Sequence, residues 1–127
     1  MLLGDDETNA LTDRIIGCAI EVHRELGPGL LEAVYEKALC SELGANSIEF
    51  KRQVGVPLFY KGELLSEHRP DLIVADRVVV EVKSVDRFNP VHTAQLLTYL
   101  RLCQIRVGLL LNFNSAFMRD GIRRVML

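Results

Sequence analysis

Apolar residues near the start of the chain recur every three or four positions: Leu11, Ile15, Ile16, Ala19, Ile20, His23 and Leu26. That spacing predicts an amphipathic helix. Thr8 or Asn9 supplies a cap, and Gly27-Pro28-Gly29 ends it. A second helix is predicted from about Leu30 to Leu43, with Gly44 as its stop and Val34, Tyr35, Ala38 and Leu39 as its buried side. The pattern then changes. From Ile48 to Ser84 the chain is rich in Val, Leu, Phe and Tyr, broken by turn signals at Lys61-Gly62 and Ala75-Asp76-Arg77. This predicts a meander of three antiparallel strands. Arg77 to Val82 is nearly all valine, which predicts a central strand covered on both faces.

Asn89 as cap and Pro90 in the first turn open a third helix that continues to about Leu102. Arg106 to Asn112 reads as a short apolar strand. Asp120-Gly121 turns into a last strand, Ile122–Met126, expected at a sheet edge. The expected fold class is α/β (α+β), with a mixed central sheet flanked by helices. The 127 residues suit a single domain, 1–127, with one core.

No apolar run is long enough to cross a membrane, and MLLGDDETNA lacks the basic start and apolar stretch of a signal peptide. A soluble, cytoplasmic protein is expected. Cys18, Cys40 and Cys103 lie far apart with no CxxC spacing, so they read as reduced thiols that pack as small hydrophobes and not as a zinc site. The net charge of −2 hides an asymmetry. Residues 1–50 hold 10 acidic and 3 basic side chains, and residues 51–127 hold 7 acidic and 12 basic. A phosphate-facing surface would therefore come from the second part, unless these are solvated charges that fall this way by chance.

The candidate chemistry lies in LSEHRPDLIVADRVVVEVKSV. Pro70-Asp71 closes one extended run and Glu81-Val82-Lys83 the next. Asp71 and Glu81 offer hard oxygen ligands of the kind Mg²⁺ prefers. Lys83 adds a cation that would orient a water or neutralise a phosphate. A three-residue loop at Ala75–Arg77 would set Asp71 directly opposite Glu81, with Cα atoms about 5 Å apart; a two- or four-residue loop would shift them by one. Two carboxylates that close raise each other's pKa unless a cation intervenes. Glu81 and Lys83, two apart on one strand, share a face. A second account of the same letters is an ion pair on a solvated sheet face beside a turn-proximal aspartate, because an ExK spacing alone is common. Arg69, Arg119, Arg123 and Arg124 are candidate phosphate contacts, or unengaged surface arginines. His23 reads as a satisfied core histidine, and His68 is left outside the site.

Pro70-Asp71 followed by Glu81-Val82-Lys83 resembles the PD-(D/E)xK nuclease superfamily. Gly29-Leu30-Leu31-Glu32-Ala33-Val34-Tyr35 resembles the GxxExxY signature of a bacterial and archaeal family within it, and Gln95-Leu96-Leu97-Thr98-Tyr99 the QxxxY pattern of the RecB-like branch. The three patterns occur in the expected order across nearly the whole chain. The resemblance implies a restriction-endonuclease-like core and a Mg²⁺- or Mn²⁺-dependent nuclease acting on DNA. It further implies Asp71, Glu81 and the Val82 carbonyl as metal ligands, Glu32 as a further ligand, directly or through water, and Lys83 as the residue that positions or deprotonates the water. Gln95 and Tyr99 would line the cleft and contact the nucleic-acid backbone or the Lys83 environment.

Competing structural roles exist for several of these. Glu32 sits in the first turn of its helix, where a carboxylate also satisfies free N–H groups and the helix dipole. Tyr35 reads as a core ring with a bonded hydroxyl. His92, Gln95 and Tyr99 form a polar stripe that serves either a site or a solvent-facing edge. Two other functions fit the chain: a nuclease-like module that binds nucleic acid or protein without cutting, and an oligomeric assembly protein using Val107–Phe113 and the last strand as its interface.

Overall fold

The computed structural model describes residues 3–127. Two helices come first, α1 (Leu3–Leu26) and α2 (Glu32–Ala45). Five strands follow: β1 (Phe50–Arg52), β2 (Val56–Tyr60), β3 (Glu63–His68), β4 (Leu72–Val74) and β5 (Val78–Lys83). Helix α3 (Pro90–Cys103), strand β6 (Val107–Asn112), a 3₁₀ turn (Met118–Gly121) and strand β7 (Ile122–Met126) complete the chain. The main sheet has the order β1-β4-β5-β6-β7, and only the β5–β6 pair is parallel. A parallel neighbour needs a crossover, and α3 supplies it.

Strand periodicity divides the core into two layers. Val78, Val80 and Val82 point to one face, where they pack with Leu72, Val74, Leu109 and Leu111 against Ile15, Ala19, Tyr35, Leu39 and Leu43 of α1 and α2. Val79 points to the other face, against Leu96, Tyr99 and Leu100 of α3. Glu81 and Lys83 follow Val79 along that second face. β5 is thus the expected central strand, covered on both sides.

The segment expected as a three-stranded meander forms five strands: β1, β4 and β5 pair antiparallel in the main sheet, and β2 and β3 leave it. The Lys61-Gly62 turn, with both residues at positive φ, closes a β2–β3 hairpin that forms its own two-stranded sheet. Phe59, Tyr60, Leu64 and Leu65 on this hairpin are more than half exposed, so their apolar letters do not report burial.

Other boundaries move for identifiable reasons. α1 starts at Leu3, ahead of the expected cap, and Thr8 and Asn9 lie inside it. Asp6 and Glu7 near its start suit the positive end of the helix dipole. Ile20 and Leu26 face solvent, and Cys18 and Val22 take their places in the core. On α2 the buried stripe is Tyr35, Leu39 and Leu43, and Val34 is exposed. Val107–Phe113 is fully interior, so that segment has no free surface for a subunit interface. β7 lies at the sheet edge, as expected. Among the described residues no helix is long and apolar enough to cross a membrane.

The loop between α1 and α2 is tied down at the ends of β5 and β6. Gly27 and Gly29 adopt positive φ, which glycine does at low cost. The Tyr35 hydroxyl donates to the Gly27 carbonyl (2.5 Å) and accepts from the Leu30 N–H (3.1 Å). Its ring stacks on Phe113 with centroids 4.8 Å apart. Ser84 Oγ donates to the Leu30 carbonyl (2.6 Å). Tyr35→Phe is expected to cost about 1–2 kcal/mol in a denaturant titration, by removing both bonds at once while keeping the stacked ring.

Candidate active site

The turn Ala75-Asp76-Arg77 fixes the register that matters most. Ala75 and Asp76 both have positive φ, and Val74 pairs with Val78, Ile73 with Val79 and Leu72 with Val80. One further step along this register sets Asp71 opposite Glu81. The two residues are coupled by hydrogen bonds: the Asp71 N–H donates to Glu81 Oε2 (3.0 Å), and the Val82 N–H donates to Asp71 Oδ2 (2.8 Å).

The Val82 carbonyl is aimed at the same place. In a strand, the N–H and C=O of one residue point to the same edge. Val82 directs its N–H to Asp71, whereas the Lys83 carbonyl accepts from Phe113 on the β6 side. The Val82 carbonyl therefore faces the Asp71 side, beyond the first residue of β4.

Glu81 is 4% exposed. Burial, and then the nearby Asp71 carboxyl group, push its pKa up to about 9, against smaller opposing pulls from the Asp71 N–H and then Lys83. Such a group holds a proton until something more strongly positive replaces it. Lys83 is half-buried, shares the face of Glu81 and makes no hydrogen bond or ion pair among the described residues.

Helix α3 closes the other side. Tyr99 is buried, and its hydroxyl accepts from Gln95 Nε2 (3.2 Å). Burial, then Glu81 and Asp71, raise the Tyr99 pKa, so the phenol keeps its proton beside the acids. His92 is committed elsewhere: its Nδ1 accepts from the Asn89 N–H (3.1 Å), completing the helix cap. His68, left outside the site on sequence grounds, has its ring 6.1 Å from that of Tyr99. His23 is half-buried, with Nε2 2.7 Å from the Ser115 carbonyl.

Arg69 is exposed at the rim, bonded to Glu67 (2.6 Å) and to the Gln53 carbonyl (3.2 Å). Of the C-terminal arginines, Arg123 stacks its guanidinium over Phe88, 4.8 Å from the ring centroid, and Arg124 bonds to Asn9. Glu32 is exposed in the first turn of α2, and no polar partner for it exists among the described residues. Among the described residues no hydrogen bond ties it to the network around Asp71 and Glu81.

The carboxylate that α2 does bring inward is Glu36, one turn further along the same side. It is 7% exposed. Arg52 donates to Glu36 Oε2 from Nε (2.9 Å) and Nη2 (2.6 Å), and Gln53 Nε2 bridges Glu36 Oε1 and Asp71 Oδ1, 3.2 Å from each. Glu36, Arg52 and Gln53 are absent from the set read from sequence. One signal was available for Glu36. It lies three and seven positions before Leu39 and Leu43, so it is a carboxylate on an apolar stripe.

The donor set fits a hard divalent cation. Among the described residues each Asp71 oxygen accepts from one N–H donor and Glu81 Oε2 from another, which leaves carboxyl lone pairs for an ion. With the Val82 carbonyl these are oxygen ligands only, the kind Mg²⁺ and Mn²⁺ take. Among the described residues no group of three His, Cys, Asp or Glu side chains forms a ready-made cage. The set therefore relies on a backbone oxygen, and Mg²⁺ typically completes its shell with water and substrate oxygens. The three thiols do not compete: burial raises the pKa of Cys18, Cys40 and Cys103.

Residues 9–125 match the family described as the PD-(D/E)XK nuclease superfamily. No curated protein matches the chain. Among solved structures, the chain is similar to one described as the crystal structure of SSO0001, at 24% identity and a TM-score of 0.52, over 72% of this chain. The match spans 46% of that protein's length, a likeness of fold.

Proposed function

The chain belongs to the PD-(D/E)XK nuclease superfamily, and from that premise we propose that it is a metal-dependent nuclease hydrolysing phosphodiester bonds in DNA. One observation carries this reading. The Asp71 and Glu81 carboxyl groups are held side by side at the end of a buried strand pair, and Lys83 follows on the same face. Two carboxyl groups at that distance, one of them almost fully buried, are costly without a cation to share.

In this reading Asp71, Glu81 and the Val82 carbonyl hold one Mg²⁺ or Mn²⁺. The ion, when bound, supplies Lewis acidity towards a phosphate oxygen and lowers the pKa of a water. The remaining work belongs to the chain. Lys83 orients the attacking water and stabilises the negative charge that builds on the phosphate. Tyr99, kept protonated, and Gln95 offer hydrogen bonds to the substrate backbone from α3. Arg69 offers a phosphate contact at the rim. Glu32, solvent-facing at the start of α2, acts on the ion through a water.

The Gly29–Tyr35 and Gln95–Tyr99 patterns support placing the chain in the GxxExxY family and the RecB-like branch. The loop clamp made by Tyr35 gives the first of these patterns a structural reason. We take residues 1–127 as one domain working in the cytoplasm.

The test is cleavage of several DNA forms by the purified chain with Mg²⁺ or Mn²⁺. Metal-dependent cleavage that stops on chelation with EDTA and returns with added metal is expected. Cleavage at full rate in EDTA would exclude this chemistry.

A further inference from the structure

Gln53 follows the last residue of β1 and holds a left-handed backbone, with φ at +52°. Residues with a side chain take that conformation at a cost and mostly where the surroundings demand it. Here the demand is visible. The Gln53 N–H donates to the Asp71 carbonyl (3.1 Å), which lines the two residues up across the strand ends. The side-chain amide then reaches two acids at once. Nε2 lies 3.2 Å from Asp71 Oδ1, and 3.2 and 3.4 Å from Glu36 Oε1 and Oε2. The amide has two N–H groups, and both neighbours are acceptors. The nitrogen, not the oxygen, must face them.

Arg52 and Gln53 together hold both oxygens of Glu36 in place. Arg52 occupies Oε2 with two bonds, and Gln53 takes Oε1. Asp71 is held at both oxygens, by Gln53 at Oδ1 and by the Val82 N–H at Oδ2. With both donors in place the plane of the Asp71 carboxyl group is fixed; with one it is free to turn about the remaining bond.

We propose that Gln53 is the positioning residue that sets the Asp71 carboxyl group for a divalent cation, and that Glu36, anchored by Arg52, acts through Gln53 and not as a ligand itself. This rests on the metal-binding reading above. The left-handed backbone belongs to the device, because it turns the Gln53 side chain back across the strand ends towards both acids.

Gln53→Asn isolates the bridge. Asparagine adopts left-handed backbone readily, so the turn is retained, while the shorter side chain cannot span both carboxyl groups. Gln53→Gly keeps the same backbone freedom and serves if the asparagine variant folds poorly. The readouts are Mn²⁺ binding to the full chain by calorimetry and the thermal midpoint in EDTA. Wild type is expected to bind Mn²⁺, and Gln53→Asn to bind it about 10–100-fold more weakly, the usual scale for residues that orient a ligand. The midpoint without metal should stay within a few degrees. Glu36→Gln should weaken binding in the wild-type background and have little further effect in the Gln53→Asn background. Equal affinity in Gln53→Asn and wild type would overturn the proposal. So would a Glu36→Gln loss that appears in full on the Gln53→Asn background, since Glu36 would then be a ligand in its own right. A wild-type chain that takes up no Mn²⁺ would overturn the metal-binding reading, and this inference with it.

Discussion

Lys83→Ala is expected to slow metal-dependent cleavage by about 10²–10⁴-fold while leaving Mn²⁺ affinity nearly unchanged. Lys83 ends β5 on the face of Glu81, half-buried and without a partner among the described residues. A cation in that position is free to engage a group that arrives with the substrate. Its removal takes away the group that orients water and neutralises charge, but none of the oxygens that hold the ion. Asp71→Ala should behave differently and lose both cleavage and metal binding. Single-turnover cleavage rates beside calorimetric titration separate the two behaviours. A Lys83→Ala variant that cuts at the wild-type rate would remove Lys83 from the chemistry.

The second large effect concerns stability. Glu81→Gln is expected to inactivate the protein and, in the absence of metal, to stabilise it at neutral and mildly alkaline pH. Glu81 faces Asp71 just before β4, Tyr99 from α3 and Lys83 on its own strand. Burial and Asp71 outweigh Lys83 and raise its pKa in the folded chain to about 9, from an ordinary 4.5. The folded state therefore holds a proton that the unfolded state releases. The stability linked to that proton is fully present below about pH 4.5 and is lost progressively as pH rises through about 9. A glutamine at this position has no proton to lose, and its amide donates to the Asp71 carboxyl group. Relative to metal-free wild type at pH 8, the gain should be on the order of 2–4 kcal/mol, read from urea titrations in EDTA. Saturating Mn²⁺ should restore wild type and not the variant, because the ion binds the carboxylate. A Glu81→Gln variant no more stable than metal-free wild type at pH 8 would show that Glu81 is not strained there.

The stability cost and the proposed activity then have one source. A buried acid pair is a poor choice for a fold and a good one for a cation.

The sequence carried the main lines of this site because its spacing rules are local. Ala75–Arg77 gave three loop residues, and three is the number that sets Asp71 across from Glu81. The valine run from Val78 to Val82 marked the central strand, and Asn89-Pro90 marked the start of α3. Periodicity could not separate the β2–β3 hairpin from the main sheet, because Phe59, Leu64 and Leu65 have the apolar character of buried strand residues yet are exposed. Nor could it choose between Glu32 and Glu36, which are one helical turn apart on the same side. That choice depends on how far α2 reaches past the strand ends, a property of packing. Gln53 was hidden for a different reason. Its role depends on a left-handed backbone and on a pairing across the sheet 18 residues away, and a lone glutamine after Lys51-Arg52 signals neither.

The most direct measurement is a crystal of this protein soaked in Mn²⁺, with data collected for anomalous scattering. A single strong peak is expected about 2 Å from an Asp71 oxygen, a Glu81 oxygen and the Val82 carbonyl oxygen, with the Gln53 bridge to Glu36 intact. A map from a saturated crystal with no peak there, and with both carboxyl groups still held only by their N–H donors, would contradict the metal-binding reading.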